Sequence, residues 1–295
     1  MAWLSLLLAV LAISWGSILA RLCDLPALTI GLGRLLAAAL LLLPWGAPAL
    51  RRSRPSAATV LAALAAGLLL ALHFALWIAS LAHTTVAAST LLVSTAPVAS
   101  ALLSWLLLGE RPGARSAFGI GLALVGTCLI AGSDRLLGGG HLTGDLLALG
   151  GAVCAAAYLV AGRALRGRLP FMAYLTLVNS SGALWALLFA AALGAPLLPG
   201  SMRNFALLVA MAVGPQLLGH GALNWAVRRL LVYLVQLAVL GEPLLASLWA
   251  VWIFGEIPPR SIAPGALLVA AGIALVILGQ PAVAAPVPPA RKRGL

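Results

Sequence analysis

One stretch of this chain is written twice. Residues 94–112 read STAPVASALLSWLLLGERP, and residues 240–258 read LGEPLLASLWAVWIFGEIP. Pro97 answers to Pro243, Gly109 and Glu110 to Gly255 and Glu256, and Pro112 to Pro258, each at a spacing of 146 in a chain of 295 residues. The match runs on, with Gly119 and Gly126 answering to Gly265 and Gly272. A weaker one, at 147, relates residues 75–79 (ALWIA) to 222–226 (ALNWA). The chain therefore reads as one unit followed by its copy, and a functional site is expected where the copies meet.

Hydropathy decides what that unit is. The chain is 63% hydrophobic and 8% charged, with mean hydropathy +1.12. Runs of about 20 apolar residues, enough to cross a bilayer core of roughly 30 Å, fill most of it. Ten runs are expected, roughly 2–20, 26–44, 58–81, 85–108, 115–132, 145–162, 171–193, 205–227, 230–254 and 262–279. Each is expected to be helical, because backbone exposed to lipid has to satisfy its own hydrogen bonds. Turn-forming Gly and Pro clusters separate them, and no connection is long enough for an inserted soluble domain. The expected fold is an all-α membrane protein of ten transmembrane helices. Residues 1–136 form the first repeat, 137–279 the second, and 280–295 a basic, disordered tail.

The formal charge of +12 does not point to nucleic acid, because the basic residues sit in short loops between apolar runs. With the N-terminus in the cytoplasm, the inner loops and tail hold thirteen of the 18 Lys and Arg, the outer loops four, and a span one. Both termini are then cytoplasmic. Five spans per unit is an odd number, so the second copy enters the membrane from the opposite side. Inverted repeats of this kind are common in secondary transporters, whose substrate site lies between the repeats near the midplane.

The residues that carry chemistry are few. Arg34 lies in the second span, about 12 Å from its outer end at about 1.5 Å per residue. Glu242 lies in the ninth span, about 12 Å below the outer face of a ~30 Å core. A charge at that depth is costly, about 2.5–3.5 kcal/mol for a central Arg or Asp, so the matching depths predict a coupling or charge pair. Glu242 is expected to accept a proton or a substrate amino group, and Arg34 to bind a carboxylate or tune Glu242. Bracing of helices near Pro243 is the structural alternative.

Gln216, His220 and Asn224 recur every four residues in the eighth span and so share one face of an α-helix, with Gly214, Pro215, Gly219 and Gly221 loosening it. They are expected to line a cavity. His73 and Trp77 in the third span, and Thr90 and Ser94 in the fourth, share faces in the same way. Trp15, Tyr158 and Gln236 complete the expected substrate-binding set. Asn179, Ser180 and Ser181 read as interhelical glue or cavity edge, and Glu110 and Glu256 as turn and interface residues. Residues Cys23, Cys128 and Cys154 have no metal-type spacing, and no nucleophile–base cluster, phosphate loop or dinucleotide fingerprint is present. No metal, no cofactor and no enzymatic activity are expected.

The chain also resembles a known family, the EamA-type members of the drug/metabolite transporter superfamily. The resemblance rests on Ser14-Trp15-Gly16, Arg34, Pro97 with residues 106–111 (LLLGER), Asn224-Trp225-Ala226, Glu242-Pro243 and Gly255-Glu256. The run 228–233 (RRLLVY) departs from it. The resemblance implies a ten-helix carrier of the bacterial inner membrane, exporting amino acids or related metabolites by alternating access, with proton exchange as an option. Partners would be the small-molecule substrate and membrane lipid, with the protein a monomer or homodimer. Carriage of drugs, sugars or nucleosides, and an intramembrane enzyme acting on a lipid-linked substrate, are the alternatives.

Overall fold

The computed structural model describes residues 2–108, 113–136, 141–165, 167–226, 239, 241–257 and 262–278. Every regular element among them is helical. In chain order they are α1 (Ala2–Ser14), α2 (Gly16–Leu22), α3 (Ala27–Ser53), α4 (Ala57–Ser80), α5 (Val86–Val93), α6 (Ala96–Leu108) and α7 (Ala114–Leu136). The second half holds α8 (Leu142–Leu165), α9 (Phe171–Ala192), α10 (Met202–Met211), a π-helical segment (Ala212–His220), α11 (Gly221–Ala226), α12 (Gly241–Phe254) and α13 (Ile262–Leu278). The expected tail, the 228–233 run, Glu110 and Gln236 lie outside the described residues.

Local chemistry sets the ends. Ser56, Thr85 and Ser201 accept from backbone N–H groups three residues on, at 3.3, 3.1 and 3.1 Å, and so cap α4, α5 and α10. Pro26 and Pro170 precede α3 and α9 in nearly the same backbone conformation, φ −59 and −57. Gly194, Gly200 and Gly255 sit in the connections at φ 66–68, a region that favours glycine.

Several spans differ from the expected unbroken rods. The first is interrupted at Trp15. The fourth breaks at Ser94 and Thr95, because Pro97 donates nothing to the carbonyl four residues back and its ring clashes there. The two hydroxyls at that break turn onto Thr90 O and Leu92 O, at 2.8 and 2.6 Å. The eighth widens into a π-helix around Pro215, for the same reason. The second continues to Ser53, past its expected end and through Pro44 and Pro48.

The packing records the duplication. A Cβ on Gly126 would lie 2.6 Å from Gly265 O, and one on Gly272 would lie 2.5 Å from Gly119 O. These are the four glycines that match at a spacing of 146. Each contact is the other's counterpart, as two equivalent helices crossing on a two-fold axis require. α7 and α13 are therefore antiparallel twins in contact. α3 and α9 form a second antiparallel pair, with Gly46 against Met172 O and Thr176, and Gly182 against Leu35. The glycine-rich fifth and tenth spans thus pack on each other.

The loops expected on the outer side gather at one end. Arg203 pairs with Asp24 at 3.1 Å, Thr29 donates to Pro196 O at 2.6 Å, and His141 Nδ1 donates to His83 O at 2.9 Å. Glu256 joins the same end by accepting from Val86 N–H at 2.7 Å.

Candidate substrate site

The centre of the bundle is built around Arg34. Its side chain, on α3, is completely buried. The guanidinium carbon sits 3.8 Å above the Phe74 ring of α4, a cation–π arrangement that stabilises a charge removed from water. Nη2 donates to Gln216 Oε1 at 2.9 Å. Gln216 in turn donates to Asn179 Oδ1 at 2.9 Å, and Asn179 Nδ2 is spent on Leu175 O at 2.8 Å. This relay joins three helices and fixes which amide oxygen faces the cation. Nε and Nη1 of Arg34 have no acceptor among the described residues.

Glu242 is the carboxylate whose charge acts on Arg34. It stands half-buried in the first turn of α12. The two groups lie beyond the 4.0 Å of an ion pair. The cation and anion thus act on one another without closing into an ion pair, and the guanidinium keeps N–H groups unused, which is costly in a buried site.

Aromatic rings cluster about Phe74, and a separate tryptophan pair joins Trp15 to α12. His220 meets Phe74 edge-on at 5.7 Å. His73 stacks on Trp77 at 6.1 Å and donates from Nδ1 to Gly151 O at 2.9 Å. Its Nδ1 must carry the proton there, because a carbonyl only accepts, and Nε2 is the free acceptor of the neutral ring. A Cβ on Gly16 would lie 3.0 Å from Trp77, so the glycine beside Trp15 makes room for that indole. Trp15 stacks on Trp249 of α12 at 5.1 Å, and Trp249 Nε1 donates to Ser14 Oγ at 3.0 Å.

Of the three residues expected to line one cavity wall, two meet the same centre: Gln216 reaches Arg34, and His220 meets Phe74, the ring beneath that guanidinium. Asn224 donates to Tyr158 Oη at 3.2 Å and to His220 O at 2.8 Å, in a separate group that Tyr174 joins through Tyr158. Thr90 and Ser94 are buried, but their hydroxyl hydrogens are spent on carbonyls of their own turn, Thr90 on Val86 O at 2.7 Å. Phe74 and Trp249 escaped the sequence reading, because an aromatic ring in an apolar run carries no mark of a polar neighbour. Among the described residues no three His, Cys, Asp or Glu side chains gather as a metal ion would need.

A second polar cluster ties the ends of the helices. Arg21, at the end of α2, forms an ion pair with Glu256, just beyond α12. Its Nε donates to Leu81 O at 3.1 Å and its Nη2 to Thr84 O at 2.5 Å. The other Glu256 oxygen holds the first N–H of α5, at Val86. Glu256, expected as a turn and interface residue, is one point at which the second copy grips the first.

No curated protein matches the chain. A solved crystal structure of a protein, 21% identical, covers 94% of this chain and 96% of its own with a TM-score of 0.64, which establishes the shared fold. The model of the EamA-like transporter family matches twice, over residues 1–132 and 142–278. Those two segments are the two copies read from the repeated Pro and Gly-Glu positions and from the paired glycines of α7 and α13. The chain belongs to the EamA-like transporter family.

Proposed function

We propose that the protein is a secondary transporter of the bacterial inner membrane, with ten spans and both termini in the cytoplasm, that exports amino acids. Alternating access comes from rocking one five-helix copy against the other. The observation that carries this reading is Arg34. It is a fully buried cation with unused N–H donors, facing a carboxylate that it does not touch. A zwitterion supplies what each lacks. Its carboxylate takes the free donors of Arg34 in charge-assisted hydrogen bonds, and its ammonium group takes Glu242. The rings of Phe74, Trp77, Trp15 and Trp249 suit an apolar or aromatic side chain. Glu242 also serves as the site of the exchanged proton.

Solute counterflow with purified protein in proteoliposomes tests this. Labelled phenylalanine, methionine or alanine should exchange saturably, and Arg34→Gln should abolish exchange of amino acids. Exchange driven by a pH gradient should be lost in Glu242→Gln. Folded protein that exchanges none of these amino acids would overturn the amino-acid reading. Full gradient-driven exchange in Glu242→Gln would overturn proton coupling.

A further inference from the structure

We infer that the Arg21–Glu256 cluster is a gate, a clasp that shuts one mouth of the transport pathway and must come apart for that mouth to open. Three observations meet here. First, the cluster joins the two copies. Arg21, Leu81, Thr84 and Val86 belong to the first, and Glu256 to the second. Rocking one copy against the other separates such partners at one end of the bundle while that end opens.

Second, the cluster lies about two helical turns along the same two spans from the Trp15–Trp249 pair. Ser14 is seven residues below Arg21 on the same span, about 10 Å at about 1.5 Å per residue. Trp249 is seven residues before Glu256 on the other. Trp249 and Ser14 are bonded to each other, and Trp249 is stacked on Trp15. The clasp and the tryptophan pair are therefore two successive closures between the same two spans.

Third, a depression of about 450 Å³ lies on the clasp, lined by Arg21, His83, Thr84, Thr85, His141 and Glu256. A vestibule of this kind, whose floor is an ion pair, reads as a pathway closed at that level.

The chemistry suits a reversible closure. Arg21 and Glu256 keep part of their side chains in water, at 24% and 16% exposure. An ion pair with access to solvent contributes little to stability, and one sealed from water would cost far more to separate. Glu256 also caps α5 through Val86, so its release frees the entry of the fourth span as well as the tie to α2.

The gate rests on the alternating-access reading, and its test does not use flux. Cys23, Cys128 and Cys154 are replaced by alanine, and Ser14→Cys is introduced as a reporter, fully buried in this state. A membrane-impermeant thiol reagent is applied to one face of reconstituted protein. Ala82→Cys, exposed at the clasp end, identifies that face in a parallel sample.

Glu256→Ala should raise the labelling rate of the Ser14→Cys reporter from the Ala82 face at least tenfold. Glu256→Gln, which keeps an acceptor for Val86 N–H and loses the charge, should fall between. Unchanged rates in both variants would overturn the gate. So would an equal rise from both faces, which marks general loosening. Because labelling requires no transported solute, failure of amino-acid counterflow and failure of the gate are separately visible.

Discussion

The glycine seam between α7 and α13 makes the most quantitative prediction. A Cβ on Gly272 would lie 2.5 Å from both Ala123 N and Gly119 O, where ordinary contact begins near 3.4 Å. Both obstacles are backbone atoms, so no side chain can swing aside. The helices must part by about 1 Å. Overpacking of this kind costs about 1–3 kcal/mol. Gly126→Ala meets the counterpart obstacles, at 2.6 Å from Gly265 O and 2.7 Å from Val269 N, and should cost a similar amount.

Gly121, on the same helix, would meet nothing within 4 Å. Its replacement by alanine should therefore keep only the helix-propensity gain of about 0.8–1.0 kcal/mol. Both kinds of variant share that gain, so the gap between them is the overpacking cost, about 1–3 kcal/mol. At about 2–4 °C per kcal/mol for chains of 150–250 residues, it corresponds to melting temperatures roughly 2–12 °C apart. The assay is thermal unfolding in detergent, followed by tryptophan fluorescence. Gly272→Ala melting at or above Gly121→Ala would refute the close crossing, and with it the two-fold relation between the copies.

Two further predictions address the site and its surroundings. Gln216→Leu removes the acceptor that holds Arg34, a hydrogen bond to a charged group worth about 1.5–3 kcal/mol; KM for phenylalanine in counterflow should rise about tenfold or more, and an unchanged KM would show that Arg34 is held without Gln216. At Cys23, in the turn after α2, burial pushes the thiol up to about 11, with Arg203 opposing and Asp24 adding to the rise. A raised pKa leaves the thiol protonated at neutral pH and its thiolate populated only as pH approaches 11, so N-ethylmaleimide should modify Cys23 slowly at pH 7 and about tenfold faster per pH unit above it. A rate independent of pH would contradict that environment.

The site was partly legible beforehand. Arg34 and Glu242 were expected as a pair because each is a charge in an apolar run and depth follows from residue count; the structure keeps them beyond ion-pair distance. His73 with Trp77 survived as a stacked pair, because α4 is an uninterrupted α-helix whose four-residue spacing keeps its meaning. Of the expected wall, Gln216 and His220 meet at the Arg34–Phe74 pair while Asn224 goes to Tyr158, a division that spacing along one span does not carry. Pro215 widens that segment into a π-helix, which the sequence reading had spaced as α-helix. Asn179 was recognisable only as glue or cavity edge. Its role as the last link holding Arg34 depends on α9 lying beside Gln216, which no local pattern encodes.

Sequence alone determined the class of the fold and its duplication. Lipid forces each long apolar run into a helix, and the Pro, Gly and Glu positions that recur at a fixed spacing mark two copies of one unit. Tertiary structure alone decided who meets whom. It set the twin glycines of α7 and α13 against each other, placed Phe74 under Arg34, and brought Glu256 across the copies to Arg21. Such contacts join residues as many as 235 positions apart. They depend on how helices cross and where each breaks, and side-chain periodicity within a single span carries no information about its neighbours.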